Sequence, residues 1–255
     1  MRHLSPDAAC LSSVNSPKGR VIATLVVCRL GEDVGLLVAA DIAEALCQRL
    51  RMFVLRSKVQ LELDTETPIT GLIEASPAAA GDGATAWQCR QEANALWLRA
   101  PGHHARWWCI GTPPDEASPH PNPQAFALGD IACGLPCVGQ PQTEAHVAQH
   151  LGLQHFDALS FSKGCFTGQE VIARLHYRGG INRVPVRLRG QHAAPPAGSA
   201  IKDSDGKTLA DVVNSATSNE GHEALVVWRG TEVPAWIVGA DMRWEVCDFD
   251  PAHPA

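Results

Sequence analysis

The chain has 255 residues, enough for one large domain or two to three small ones, and at this length no disulfide or metal ion is needed to stabilise the core. Its composition is that of a globular protein, and its net charge of −6 argues against a protein whose whole surface binds nucleic acid. The odd number of cysteines, nine, predicts free thiols, and the lack of an apolar leader or long apolar span predicts a cytoplasmic protein without a membrane segment.

The first part of the chain predicts an α+β layer. An apolar run over residues 21–30 predicts a strand, and residues 36–38 follow a turn as its hairpin partner. Asp41 and Glu44 match the capping box that begins a helix. Alternation of apolar and polar residues over 59–63 then predicts a half-buried strand.

The middle of the chain predicts a second sheet followed by a connector. Strands are expected over residues 86–90, 95–99 and 106–110. Five prolines within residues 113–123 predict an irregular connection, and residues 143–151 are expected to form a helix.

From residue 184 onward the pattern changes to short strands separated by glycine and proline. Residues 184–189 alternate, residues 203–206 predict a turn, and residues 224–228 and 233–238 predict two further strands. This spacing favours a small barrel or sandwich, with a domain boundary near Asn182.

The most informative segment is the octapeptide K-G-C-F-T-G-Q-E at residues 163–170. Thr167 and Glu170 match a capping box, so Thr167 is expected to cap a helix that Gly179 and Gly180 end. Cys165 would then precede a helix N-terminus, where N–H groups and a nearby lysine favour the thiolate. The alternative is that Cys165 is a small apolar residue that packs in a tight turn.

The segment from residue 163 to residue 189 is basic, with six basic residues and one acidic residue in an otherwise acidic chain. Such an excess suits an anionic ligand. Arg187 and Arg189 are expected to lie on the solvated face of a strand, which leaves Lys163, Arg174 and Arg178 as the better candidates for binding an anion.

The octapeptide closely resembles the K-G-C-[YF]-x-G-Q-E signature of the YgfZ family, a fold relative of the aminomethyltransferase (T-protein) of the glycine cleavage system. Further resemblances are S-P-K-G-R at residues 16–20, D-I-A-C-G-L-P at 130–136, and Y-R-G with a following arginine at 177–183. Together these motifs cover nearly the whole chain.

The resemblance implies an α+β, cloverleaf-like fold of three lobes, with antiparallel sheets and packed helices, closed by a C-terminal β-barrel. Residues 1–182 would form the folate-binding region, with one lobe over about 21–111 and another over about 112–182. Residues 183–255 would form the barrel.

The resemblance also implies a protein that binds tetrahydrofolate or a derivative and helps to mature or repair iron–sulfur proteins, among them tRNA-modifying enzymes. Its expected partners are a reduced folate and iron–sulfur client proteins, with no direct nucleic acid and no membrane. Cys165 would be the functional thiol and the candidate catalytic residue. The residues expected at the folate are Lys163, Gln169, Glu170, Arg174 and Arg178.

Two other functions remain open. One is a tetrahydrofolate-dependent one-carbon (aminomethyl) transferase, which needs an acid to position its reactants. The other is a thiol-based cluster carrier that uses Cys165 directly. Without a complete catalytic constellation, the sequence favours an accessory factor over an enzyme.

The chain departs from the family pattern at its start, because relatives carry a few dozen more residues before S-P-K-G-R. We therefore expect an incomplete first lobe, with the strand at 21–30 beside a vacant strand position. Cys133 and Cys137 are predicted to bind no metal, since no second pair of ligands has suitable spacing.

Overall fold

The computed structural model describes residues 4–74, 77, 84–92, 94–113, 122, 124–191, 194–240 and 242–250. This part of the chain forms three antiparallel sheets and three α-helices, in agreement with the predicted α+β class. None of its helices is long and apolar enough to cross a membrane. The arrangement in three lobes stays a prediction.

The first sheet has its most apolar strand in the middle. The strand predicted over residues 21–30 is confirmed, and its first eight residues are buried. The expectation of a vacant position beside it is wrong, because neighbouring strands pair along both of its edges. The order is β1-β2-β3, with bounds Cys10–Asn15, Val21–Leu30 and Asp33–Leu37.

Helix α1 spans Ala40–Arg51, but it does not begin with the predicted capping box. Its N-cap is Ala39, which has extended backbone angles and makes no side-chain cap. Asp41 lies in the first turn, and its carboxylate accepts a hydrogen bond from the backbone N–H of Gln140 at 3.1 Å. The carboxylate therefore serves a tertiary contact 99 residues away along the chain.

The strand predicted over residues 59–63 is wrong. The segment has no regular secondary structure, and Val59 and Leu63 are 53% and 41% exposed. Directly after it, the carboxylate of Asp64 accepts hydrogen bonds from the backbone N–H and the hydroxyl of Thr67. Such local bonds favour a turn over a sheet ladder, and the next strand begins only after that turn.

The second sheet has the order β4-β7-β6-β5. The strands predicted over residues 95–99 and 106–110 are confirmed, whereas the one predicted over 86–90 begins at Cys89, because Trp87 has a φ of 68°. Residues 114–121 and 123 of the proline-rich connector lie outside the described residues. The strand bounds are Ile69–Ile73, Cys89–Glu92, Ala95–Arg99 and Arg106–Ile110.

Helix α2, over Ala125–Ala132, was not predicted, and it is fixed to the second sheet by a buried arginine. Arg106 is 2% exposed and donates to the carboxylate of Asp130 at 2.6 Å and to the carbonyl of Phe126 at 2.8 Å. Gly134, with a φ of 74°, then turns the chain away from the helix. The D-I-A-C-G-L-P motif thus holds this helix end in place.

The helix predicted over residues 143–151 is wrong, because the backbone there bonds to strand β2 instead. The hydroxyl of Thr143 donates a hydrogen bond to the carbonyl oxygen of Ile22 at 2.9 Å. The backbone N–H of Glu144 donates to the carbonyl oxygen of Val21 at 2.8 Å. Only short 3-10 helices form in this region, over Gln140–Gln142, Ala148–Leu151 and Leu153–Phe156.

The last six strands form one antiparallel sheet in the order β12-β13-β8-β11-β10-β9. The predicted strands over 184–189, 224–228 and 233–238 are present with small shifts, and three others were missed. The N–H of Ala240 donates to the carbonyl of Lys202 at 2.9 Å, so the two ends of the sheet meet at one point. A fully closed barrel stays a prediction. The bounds of β8 to β13 are Val184–Gly190, Ala200–Lys202, Thr208–Ser218, Gly221–Trp228, Trp236–Val238 and Arg243–Cys247.

This third sheet shares a hydrophobic core with the rest of the chain. Ile131 of α2 belongs to the same buried cluster as residues of β10 and β11, namely Val213, Ala216, Leu225 and Val227. The domain boundary near Asn182 stays a prediction, and residues from both sides of it pack in one hydrophobic core.

Arg187 does not lie on a solvated face as predicted, since its side chain is 12% exposed. It donates to both carboxylate oxygens of Glu223, at 2.8 and 3.2 Å. Arg189 is 45% exposed and reaches the same carboxylate at 3.2 Å. Glu223 therefore neutralises part of the basic excess that the sequence suggested for an external anion.

Candidate functional site

Helix α3, over Gln169–Arg178, carries the end of the signature octapeptide. Its N-cap is Gly168 with a φ of 80° and no side-chain cap, so the prediction that Thr167 caps the helix is wrong. Gly179 and Gly180 end the helix at positive φ, as predicted. The signature is therefore a loop that enters the helix through a glycine.

Gly168 also joins the signature to the distant S-P-K-G-R turn. A Cβ atom on Gly168 would lie 2.6 Å from both the Cα of Gly19 and the carbonyl oxygen of Ser16. A Cβ atom on Gly19 would lie 2.7 Å from the Cβ of Val171. Since real Cβ atoms do not approach so closely, two glycines allow the two motifs to pack backbone against backbone.

Cys165 lies in the exposed part of the signature loop, before Gly168. Beside it, the Nζ of Lys163 lies 4.5 Å from the centre of the Phe166 ring, a cation–π contact. All nine cysteines of the chain are free thiols. Burial raises the pKa of Cys28 and Cys133 to about 11 and that of Cys89 to about 12, which makes these thiols poor nucleophiles at neutral pH.

A cleft of about 240 Å³ opens beside the signature loop, between strand β1 and the C-terminal end of helix α1. One wall comes from the segment that leads into the signature and from the signature itself. The lining residues of the signature are Lys163, Phe166 and Thr167, and the other polar or aromatic ones are Ser12, Ser13, Asn15, Arg49, Phe53 and Ser160.

Of the residues predicted at the folate, Lys163 is in the wall of this cleft. Glu170, Arg174 and Arg178 are exposed on helix α3, and Gln169 is half-buried at its start. None of these four lines the cleft.

Sequence reasoning missed the contribution of Arg49 and Phe53 to the cleft. Both belong to the region of helix α1, more than a hundred positions before Lys163. The helical pattern around residue 49 predicts the helix, but no local signal indicates that its end meets the signature loop.

Cys133 and Cys137 belong to the turn after helix α2. The Sγ of Cys133 is buried and contacts the guanidinium of Arg106 at 3.8 Å. In the part of the chain that the structure describes, no group of three or more His, Cys, Asp or Glu side chains is arranged to hold a metal ion. That these two cysteines bind no metal stays a prediction.

Sequence comparison finds bacterial relatives named tRNA-modifying protein YgfZ. The chain is 38% identical over 101 residues to the tRNA-modifying protein YgfZ of Aliivibrio fischeri, a match that covers 38% of this chain and 32% of that protein. It is 25% identical over 212 residues to the protein of the same name from Sodalis glossinidius, covering 76% of this chain and 64% of that protein. The chain thus spans less than two thirds of the length of these curated relatives. No family model matches the chain.

Structure comparison finds the glycine cleavage system aminomethyltransferase T of Bartonella henselae, with a TM-score of 0.67 and 18% identity. The superposition covers 96% of this chain and 76% of that structure. At this identity the likeness concerns the fold alone. In sequence the chain is similar to proteins named YgfZ, and in fold it is similar to the aminomethyltransferase of the glycine cleavage system, as its motifs predicted.

Proposed function

We propose that this protein is a folate-binding accessory factor that supports iron–sulfur proteins, tRNA-modifying enzymes among them. Two findings support the proposal: its relatives are named tRNA-modifying proteins, and its fold is shared with an aminomethyltransferase. The observation that carries it is the cleft beside the signature loop, because three signature residues line it.

The side chains of the cleft fit the chemistry of a reduced folate. Phe53 and Phe166 offer apolar ring surface to a flat heterocycle, while hydroxyl and amide groups from strand β1 offer hydrogen bonds. Lys163 and Arg49 provide two cations for carboxylates. When bound, a reduced folate would supply one-carbon chemistry; these residues would bind and orient it.

The volume of the cleft sets how much of the ligand it holds. At about 240 Å³ it is slightly smaller than the pockets of about 300 Å³ and more that enclose whole drug-sized ligands. We therefore place the ring portion of the folate in the cleft, with the first carboxylates of its glutamate tail at Lys163 and Arg49. The expected contacts of Arg174 and Arg178 with the folate stay a prediction, since neither residue lines the cleft.

Cys165 has a separate role in this proposal. Its exposed thiol does not line the cleft, so it is available to a client protein while the folate is bound. A Cys165→Ala variant is expected to bind folate as the unchanged protein does and to fail in cells to support iron–sulfur enzymes.

An anaerobic titration with tetrahydrofolate, followed by calorimetry, tests the binding site. Lys163→Gln and Arg49→Gln should each weaken binding by about tenfold or more, because a hydrogen bond to a charged group contributes roughly 1.5–3 kcal/mol. Lys207→Gln is the matched control, since Lys207 is an exposed cation in the turn between strands β9 and β10. Binding that is absent, or unchanged in both cleft variants, would contradict the proposal.

A further inference from the structure

A group of stacked rings lies exposed on and beside helix α3, outside the cleft. The rings of Phe161 and His176 are nearly parallel, at 14°, with their centres 3.8 Å apart. Tyr177 meets His176 edge to face at 4.8 Å and is 72% exposed. Phe161 is half-buried and packs on the main hydrophobic cluster, so the stack is anchored at its inner side.

Two cations of helix α3, the helix that carries two of these rings, have no ion pair with the described residues. The ion pairs of the described residues include Arg183 with Asp211, and Arg187 and Arg189 with Glu223, but none of them includes Arg174 or Arg178. Both of these arginines are exposed on helix α3. Because Arg178 follows Arg174 by four positions and Tyr177 follows it by three, these three side chains lie on one side of the helix.

We infer that this surface, formed by Phe161, Arg174, His176, Tyr177 and Arg178, binds single-stranded RNA. Exposed rings provide stacking surface for unpaired bases, and guanidinium groups beside them contact phosphates. Sites that bind single strands without reading their sequence combine these two elements.

The charge of the whole chain does not oppose this inference. The net charge of −6 argued only against a protein whose whole surface binds nucleic acid, and the expectation of no direct nucleic acid came from the family resemblance. Internal pairing neutralises Arg183, Arg187 and Arg189 of the basic segment, whereas Arg174 and Arg178 on helix α3 have no ion pair among the described residues. Local charge, rather than the total, determines where a polyanion binds.

The rings also favour RNA over an acidic peptide. A site for carboxylates needs cations alone, and exposed ring surface adds nothing to their recognition. The three rings here are held in stacked and edge-to-face contact with each other, and Tyr177 is 72% exposed. That arrangement offers π-surface to a base, which a polyglutamate chain cannot use.

Fluorescence anisotropy with a labelled oligouridine of about eight nucleotides tests the inference, since single-strand sites span roughly 4–16 nucleotides. Tyr177→Ala should weaken binding about fivefold or more, as expected when one base can no longer stack. Tyr177→Phe, which keeps the ring, should bind as the unchanged protein does. Trp236→Ala is the matched control, because Trp236 is a 45% exposed ring with the guanidinium of Arg243 at 3.9 Å on another face of the molecule.

Salt dependence tests the cations separately. Replacing both Arg174 and Arg178 by glutamine should lower the slope of log K against log salt concentration by about 1.4, or about 0.7 for each phosphate that is no longer neutralised. A polyglutamate peptide of equal length serves as an anion without bases. The inference is overturned if no RNA binds at low salt, if Tyr177→Ala binds RNA unchanged, or if polyglutamate competes as well as RNA. Lys163 and Arg49 are unchanged in all of these variants, so titration of each variant with tetrahydrofolate tests binding in the cleft separately from RNA binding.

Discussion

At the scale of single residues, the structure separates the nine cysteines by their surroundings. Three of them are exposed, namely Cys10, Cys137 and Cys165. Although these two residues are exposed, the protein groups around their sulfur atoms desolvate the thiolate, which raises the pKa of Cys10 and raises that of Cys137 to about 11. These two therefore carry less thiolate at neutral pH than an ordinary cysteine.

Cys165 should accordingly be the first cysteine to react with iodoacetamide near neutral pH. Mass spectrometry of peptides after partial alkylation measures the order of modification. Cys165→Ala should unfold at nearly the same urea concentration as the unchanged protein, because the exposed side chain packs on little. Faster labelling of Cys10 or Cys137 would contradict this prediction and favour the view of Cys165 as a packing residue.

The prediction of Thr167 as a helix cap shows how local patterns fail at this scale. The residues T-G-Q-E satisfy the spacing of a capping box, yet Gly168 takes the N-cap position. Its positive φ allows the close approach to Gly19, which a residue with a side chain would prevent. A contact between two segments almost 150 positions apart therefore overrides the local signal.

At the scale of elements, the junction between the signature and the S-P-K-G-R turn depends on Gly168. Gly168→Ala would place a methyl group in space that backbone atoms occupy, at a φ of 80°. We expect it to lower the free energy of unfolding by roughly 2–4 kcal/mol, from backbone strain and overpacking together.

Gly164→Ala is the matched control for that substitution. Gly164 belongs to the same signature loop, but a Cβ atom there would meet nothing within 4 Å. It should therefore change the free energy of unfolding by less than about 0.5 kcal/mol. Urea unfolding of the two variants measures the difference, and equal effects would show that the glycine contact does not hold the two motifs together.

Elements were predicted well where burial and local pattern agree. The runs at residues 21–30, 95–99 and 106–110 are apolar enough to be strands in any context, and their bounds are confirmed. The alternating segment at 59–63 also has a strand pattern, but no strand pairs with it in the described part of the chain, and the Asp64 carboxylate directly after it accepts hydrogen bonds within a local turn. A period of two residues predicts a strand only if another strand lies beside it.

At the scale of the whole molecule, two histidines lie where the first part of the chain meets the third sheet. His146 is 4% exposed, and its ring centre is 6.4 Å from that of His150. Burial lowers the pKa of both to about 4, and the nearby arginines Arg20 and Arg183 act in the same direction. Asp211 opposes them, but its effect is smaller than that of burial.

These histidines should make the fold less stable in mild acid. Their folded-state pKa lies below the unfolded value of about 6.5, so unfolding takes up protons. The stability that these two neutral histidines contribute is fully present above the unfolded pKa of about 6.5, and it is lost as the pH falls toward 4. Between about pH 7 and pH 5 the free energy of unfolding should fall by up to about 2 kcal/mol for each histidine.

Urea unfolding across this pH range measures the decrease. The double variant with His146→Gln and His150→Gln should show a flatter pH dependence, since glutamine does not titrate. His104→Gln, which replaces an exposed histidine, should keep the dependence of the unchanged protein. An equally steep dependence in the double variant would assign the acid sensitivity to other groups.

The sequence by itself determined the α+β class, the main buried strands and the segment that carries the signature. It could do so because apolar periodicity and turn residues act over a few neighbouring positions. The motifs also indicated the relationship to the YgfZ family and the aminomethyltransferase fold, which the comparisons confirm.

Only the tertiary structure decided which cations lack an ion pair and which distant residues come into contact or line the same cleft. Glu223 pairs with Arg187 across two strands, Arg49 joins Lys163 in the wall of one cleft, and Gly19 packs on Gly168. Each of these contacts links segments at least 36 positions apart, and its free energy depends on burial and on backbone geometry that no local pattern contains. The sequence therefore places the signature on the chain, but folding determines which other residues complete the site around it.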